Sequence, residues 1–207
     1  MNVSVERTTR AAIPRVVNES ARMSAEQDGE RDDDRLMGRF CAGDETAFNE
    51  LHAKYAQPIH AFIRRMVNQP SLADDLLQTT FMTVVRSRGR YEAGTSVRSW
   101  MYAIAANASR DSLRRAKVRG FETAPTAGNE PSVNPPMPDP PAARALQSAL
   151  DSLHPDQREA VLLHKVHGLS FQEIAETLGI SVSAAKVRAH RGYEHLRARL
   201  ASLGDWT

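Results

Sequence analysis

The chain holds a single cysteine, Cys41, among its 207 residues, and no apolar run approaching the ~20 residues of a membrane span. One thiol excludes an internal disulfide and a cysteine-rich zinc site, and it suits a reducing compartment. The N-terminus scatters Glu6, Arg7, Arg10 and Arg15 among short apolar residues. It therefore lacks the hydrophobic centre of a secretory signal, and no membrane insertion of its own is expected. Aromatic residues are also scarce, at 6%, which points to modest helical cores. Excess charge is missing too. The net charge is only +2, so any basic surface must be local. Locally it is there: residues 34–118 carry thirteen Lys and Arg against eight acids, and residues 182–199 carry five against one. The seven histidines offer pairs, His164 with His167 and His190 with His195. A zinc site needs three or four convergent ligands. No metal and no other cofactor is expected.

What is present is helical periodicity, broken once. Residues 1–33 end in the charged run EQDGERDDD and hold no sustained apolar stripe, so they read as a disordered, polar leader. Four helical segments follow in residues 34–118. The first covers 34–42 and places Cys41 as a small buried residue. The second runs from 45 to 67, capped by Asp44, with Phe48, Leu51, Tyr55, Ile59, Phe62, Ile63 and Met66 on one side; Pro58 is expected to kink or split it. Ser71 and Asp74 make a capping-type pair for a third, whose inner face holds Leu72, Leu76, Leu77, Phe81, Val84 and Val85. After the loop RSRGRYEAGTS, a fourth helix from 97 to about 117 buries Trp100, Met101, Ile104 and Ala108. Seven of the eleven prolines then fall between Pro125 and Pro141. This density opposes both helix and sheet, so residues 119–141 read as a flexible Pro-rich linker. The pattern is all-α, with two helical domains, 34–118 and 142–203, on either side of that linker.

The second domain carries the most specific signal. Ser170 and Glu173 form a capping box that starts a helix with Ile174, Ala175 and Leu178 on its apolar stripe. Gly179 supplies the left-handed residue that ends it. Ser181 or Ser183 caps the next helix. There Ala185, Ala189, Gly192 and Leu196 share one face, and Lys186, Arg188, His190 and Arg191 occupy the other. Two helices joined by a tight turn, small residues inward and basic residues outward, make a helix-turn-helix for DNA.

Taken in order, GDETAFNEL (Gly43 to Leu51), DDLLQTTF (Asp74 to Phe81), VRSWMYAIAANASRDSLRR (Val97 to Arg115) and LDSLHPDQREAVLLHKVHGLSFQEIAETLGIS (Leu150 to Ser181) resemble the bacterial extracytoplasmic-function (ECF) sigma factors, group IV of the sigma-70 family. That family keeps sigma domains 2 and 4 joined by a variable linker. The resemblance implies a cytoplasmic, non-enzymatic initiation subunit that binds core RNA polymerase and promoter DNA. It also implies control by an anti-sigma factor in a stress or envelope-signal response. It assigns polymerase binding to Asp74, Asp75, Gln78, Thr79 and Phe81, where the family usually has an acid in place of Thr79. It assigns −10 recognition and melting to the arginine-rich loop and the fourth helix: Arg88, Arg90 and Arg98, with Arg86 beside them, then Trp100, Asn107, Arg110, Arg114 and Arg115. Trp100 equally has the spacing of a core residue, and Asn107 equally suits a bond to a neighbouring helix. It assigns −35 recognition to Lys186, Val187, Arg188, His190 and Arg191. These roles agree with the chemistry. Arginine and lysine reach guanine edges or phosphates, an amide pairs with a base edge, and valine touches a thymine methyl.

Two other classes fit less of the chain. A repressor built on the same helix-turn-helix leaves the acidic stripe of 72–87 and the arginine-rich loop without a role. A recombinase or transposase needs clustered carboxylates or an activated nucleophile. Asp74 and Asp75 are adjacent and diverge on a helix.

Overall fold

The computed structural model of the chain describes residues 19–122 and 141–201, and every regular element in them is helical. The first block comprises α1 (Glu19–Cys41), α2 (Glu45–Val67), α3 (Pro70–Ser87), a 3-10 turn (Arg88–Arg90) and α4 (Val97–Glu122). The second comprises α5 (Pro141–Asp151), α6 (Pro155–Val161), a π turn (Leu162–Val166), α7 (Phe171–Leu178) and α8 (Val182–Ala201). Residues 1–18 of the leader, most of the linker (123–140) and residues 202–207, which include the last two of the second domain, lie outside the described residues.

The first block is built around α2. Asp44 caps it, its Oδ1 accepting from the backbone N–H of Thr46 at 2.9 Å and of Ala47 at 3.4 Å. The Thr46 hydroxyl and the Arg39 guanidinium, which also bond this carboxylate, hold its pKa down at about 2. The helix runs unbroken through Pro58. Burial of Tyr55, Ile59, Phe62 and Ile63 on both sides of the proline outweighs one lost backbone bond. Leu36, Met37 and Phe40 of α1, Ala73, Leu76, Phe81 and Val84 of α3, and Met101, Tyr102 and Ala105 of α4 close the core around it.

Four details depart from the sequence pattern. Residues 19–33, placed in the leader, are helical, and Asp33 is buried. Its carboxylate accepts from Tyr55 Oη and Lys54 Nζ of α2, both at 2.5 Å, so an acid in a charged run becomes an anchor between helices. Cys41 is exposed; its Sγ donates to the Arg88 carbonyl at 3.3 Å. Ser71 and Asp74 form no capping pair, since Gln69 is the N-cap of α3 with Pro70 in its first turn, and Asp74 instead meets His60 Nε2 of α2 at 2.8 Å. The proline presets the first turn without a side-chain cap. Val85 faces outward rather than into the core.

The second block folds on the small-residue face of α8. Ala185, Ala189, Gly192 and Leu196 are its buried residues, as the spacing predicts. Gly192 lets α8 lie directly on α6. A Cβ there would stand 2.5 Å from Val161 Cγ2 and 3.3 Å from the Gln157 carbonyl.

The two blocks touch. Arg158 of α6 donates to Met66 O at the end of α2 at 2.7 Å, and Asn68 Nδ2 donates to Asp151 Oδ2 at 2.5 Å. Along α4, Thr177 Oγ1 donates to Ser99 O at 3.3 Å, and Tyr102 Oη lies 2.8 Å from His167 Nδ1. Arg110 Nε lies 3.6 Å from Glu159 Oε1, a carboxylate with 0% exposure and no hydrogen-bond partner. Burial drives the Glu159 pKa up to about 7, with Asp156 adding to the rise and Arg110 and Arg188 opposing it. Burial, with the positive charges of Arg65 and Arg98, holds His167 down at about 4.

Two predictions follow from this packing. Gly192→Ala gains about 1 kcal/mol of helix propensity but overpacks a β-branched neighbour at about 1–3 kcal/mol. Denaturant unfolding should show a net loss, and Val161→Ala should be less costly in the Gly192→Ala background than in the parent. The second concerns pH. Glu159 carries no ionisation penalty below its ordinary 4.5 and the full penalty above about 7, so its contribution falls as pH rises through that window. His167 is the reverse, with no penalty above 6.5 and the full one below about 4. Relative to the parent, Glu159→Gln should gain stability from pH 4.5 to 7, up to ~3 kcal/mol, and His167→Phe should gain as pH falls from 6.5 to 4. Flat differences across these windows contradict the burial of these groups.

Candidate nucleic-acid interface

The helix-turn-helix forms as its sequence predicts. Ser170 Oγ accepts from Glu173 N at 3.2 Å while Glu173 Oε2 accepts from Ser170 N at 2.7 Å, so both halves of the capping box are made. Gly179 ends α7 at φ +64°, where a side chain would be strained. Ser181 Oγ then accepts from Ala184 N at 3.2 Å and starts α8. This geometry presents Lys186, Val187, His190 and Arg191 on the exposed face of α8. Val187 is a rare exposed aliphatic residue, at 48%. His190 is loosely tied to Glu194, 3.4 Å away. Arg188 differs from the other four. It is half-buried and turns back to Asp156 of α6 at 3.4 Å, so it braces the helix.

The residues singled out on the first block fall into two groups. Asn107, Arg114 and Arg115 lie exposed along α4. Asn107 Oδ1 accepts from Arg110 Nη2 at 2.5 Å, and Arg114 pairs with Asp111 at 3.4 Å. Asn107 and Arg115 line a groove of about 300 Å³ between α3 and α4, together with Thr79, Thr83 and Asp111. Arg86 and Arg90 are exposed near the 3-10 turn, and Arg88 lies over the Phe40 ring, 5.5 Å from its centroid. Arg98 and Arg110 belong to a different face. Arg98 Nη2 approaches Gly168 of the second block, and Arg110 approaches Glu159. Trp100 is half-buried, edge-on to Tyr91 at 5.5 Å.

On α3, Asp74, Asp75, Gln78 and Thr79 form an exposed polar stripe. Asp74 is 73% exposed and steadied by His60. Thr79 Oγ1 donates to its own helix, to Asp75 O at 2.8 Å. Phe81, grouped with the stripe in the sequence, is a core residue at 5% exposure. Beside the stripe lies an apolar groove of about 540 Å³ that the sequence reading missed, lined among others by Phe48, His52, Leu77, Phe81, Met82 and Val85. Met82 and Val85 are exposed at 46% and 38%. The signal was available. Between Leu72 and Val85, α3 carries more apolar side chains than one buried stripe can absorb. The charged contacts of Glu159 and Arg158 with the first block were also missed, because sequence periodicity does not reveal which domains touch. Among the described residues, no three His, Cys, Asp or Glu side chains gather as a metal site, and no helix is long and apolar enough to cross a membrane.

Comparison with known proteins places this geometry. The family model for Sigma-70 region 2 matches residues 51–119, and that for Sigma-70, region 4, matches residues 143–196. The chain is 49% identical over 168 residues to the RNA polymerase sigma factor CarQ of Myxococcus xanthus, covering 81% of this chain and 97% of that protein. It is 36% identical over 166 residues to the ECF RNA polymerase sigma factor SigF of Caulobacter vibrioides, covering 80% and 92%. Among solved structures, CnrH in complex with the cytosolic domain of CnrY aligns with a TM-score of 0.65 at 25% identity, over 83% of this chain and 98% of that one. With both halves matched in order, and with close relatives covered almost end to end, the chain belongs to the ECF sigma factors of RNA polymerase.

Proposed function

We propose that the two helical blocks divide promoter recognition between them. Residues 34–118 act as sigma domain 2, docking on core polymerase and reading and melting the −10 element. Residues 142–203 act as sigma domain 4, reading the −35 element through α8. The observation that carries this reading is the exposed basic face of α8, started by Ser181 and set on a small-residue inner face. Lys186 and Arg191 suit guanine edges or phosphates, Val187 a thymine methyl, and His190 either a base edge or a phosphate. Asn107, at the mouth of the groove between α3 and α4, suits capture of an unpaired base, with Arg115 holding the strand. Arg86, Arg88, Arg90 and Arg114 supply the cationic approach, with Arg98 and Arg110 available once their face is uncovered. Trp100 supports the loop through Tyr91.

Asp74, Asp75 and Gln78 form the charged part of the polymerase contact, and Thr79 lowers its charge by one relative to the family pattern. The adjoining apolar groove of Met82 and Val85 continues that surface. Phe81 contributes from beneath by holding the groove's floor. The chain performs no chemistry itself and acts in the cytoplasm, where polymerase works. The solved structure of CnrH was determined in complex with the cytosolic domain of CnrY, and we infer control of this chain by a protein partner in the same way, an anti-sigma factor. An envelope or stress signal would act through that partner.

Run-off transcription with purified core polymerase on host genomic fragments tests the assignment. Start-site-specific transcripts that depend on this chain are expected; polymerase-independent protection of duplex DNA alone would replace it with the repressor reading. On the promoter so found, Lys186→Ala and Arg191→Ala should each lower initiation roughly 5- to 150-fold if they read bases, as expected for ~1–3 kcal/mol per contact. A residue that holds only phosphate should instead weaken all sequences alike and reduce the salt slope by about 1. Asn107→Ala should lower open-complex formation without changing polymerase affinity. The pair Asp74→Ala and Asp75→Ala should lower polymerase affinity without changing which promoter is chosen.

A further inference from the structure

We propose that Asp156 is a positioning residue for promoter discrimination: its carboxylate stands in for a DNA phosphate at Arg188 and keeps that arginine out of the contact with DNA. This rests on the assignment of −35 reading to α8.

Arg188 stands at the border between the two faces of α8. It lies four residues before Gly192 of the buried row and three before Arg191 of the exposed one. Steps of three and four make neighbours on a helix surface, and a guanidinium on a long apolar stem can swing to either side. The approach of α6 decides which. Gly192 brings α8 onto Gln157 and Val161, so Asp156, in the first turn of α6, is carried beside Arg188 on a fixed platform. The two charges stand 3.4 Å apart, with 30% of the arginine side chain and 41% of the aspartate side chain exposed. Glu159 lies one turn further along α6. Burial raises its pKa, and Arg188 is among the cations that oppose the rise, so two acids of α6 act on this guanidinium.

The DNA-facing residues of α8 are thus of two kinds. Arg188 and His190 each meet an acid, Asp156 and Glu194. Lys186 and Arg191 are exposed, and no ion pair among the described residues falls on them. Glu194 belongs to the same helix as His190, whereas Asp156 reaches Arg188 from another element and fixes where it points.

An exposed ion pair adds little stability. Its effect falls on what else the guanidinium can bind. A free cation that reaches a phosphate releases counterions, and this gain is the same for every sequence. Arg188 reaches a phosphate only by leaving Asp156 unpaired beside the polyanion, so the exchange gains little. Sequence-independent affinity stays low as a result. Mismatched sites then remain empty at concentrations that fill matched ones, which is what discrimination against a genome of competing sites requires.

The test measures binding of the full chain to a duplex of unrelated sequence, by fluorescence anisotropy across a salt series. Asp156→Asn should tighten binding at least about threefold at low salt and steepen the dependence of log K on log salt by about 0.9, the value of one phosphate contact. Arg188→Gln should cancel both gains in the Asp156→Asn chain and cost the parent far less. Asp156→Glu keeps the charge and should behave as the parent. Initiation supplies a readout that a structural brace would not move. Holoenzyme at a concentration that saturates the matched promoter should initiate at least about threefold more from a template with a scrambled −35 element when it carries Asp156→Asn, with the matched template unchanged. Loss on both templates overturns the proposal, and so does an unchanged salt dependence in Asp156→Asn. An equal cost of Arg188→Gln in both backgrounds also overturns it, because Asp156 would then not act through Arg188. Lys186→Ala separates this from the assignment beneath it. If Lys186→Ala weakens duplex binding while Asp156→Asn leaves it unchanged, the proposal fails alone. If neither Lys186→Ala nor Arg191→Ala alters duplex binding, −35 reading by α8 fails with it.

Discussion

One buried guanidinium organises the molecule. Arg158 donates from Nε to Leu150 O at 2.9 Å, from Nη2 to Asp151 O at 2.8 Å and from Nη1 to Met66 O at 2.7 Å. All three carbonyls sit at helix C-termini, where backbone dipoles concentrate negative charge. This arrangement offsets the cost of burying a cation whose pKa burial pushes down. It ties α5 to α6, which fixes the platform under α8, and it ties that platform to the end of α2. Without those three acceptors the cation would be stranded, and the second block would lose both its own corner and its hold on the first.

From that corner outward, the molecule sorts its polar groups by task. Those that set the fold are paired: Asp33 with Tyr55 and Lys54, Asp44 with Thr46 and Arg39, Ser170 with Glu173. Those suited to DNA and polymerase are exposed, as at Lys186, Arg191, Asn107 and Asp74. A sigma factor needs this division, because affinity for a polyanion comes from cations that are not already neutralised.

Much of this was legible in the sequence, for local reasons. The capping box at Ser170, the left-handed Gly179 and the face of Ala185, Ala189, Gly192 and Leu196 are properties of neighbouring residues, and each is realised. The cap at Asp44 and the core stripe of α2 were legible in the same way. What was not legible depends on partners far along the chain. Asp33 looked like leader because the groups that donate to it, Lys54 and Tyr55, lie some twenty residues on. Cys41 looked buried by residue type, but it ends its helix at the surface beside Arg88. Ser71 looked like a cap, whereas Pro70 alone starts the turn and His60 claims Asp74. Arg188 matched the DNA-facing pattern, yet Asp156 on another helix draws it inward. The Pro-rich linker marked where one helical block gives way to the next, and nothing local could show that Arg158 and Glu159 would meet α2 and α4.

The central claim is that one chain reads two separate promoter elements with two separate blocks. Photo-cross-linking from residues 107 and 186, in the complex with core polymerase on promoter DNA, tests this most directly. The account predicts that position 107 labels a single strand within the −10 element and position 186 labels the duplex major groove at −35. Labelling of the same element from both positions, or labelling of DNA from position 186 alone, contradicts it.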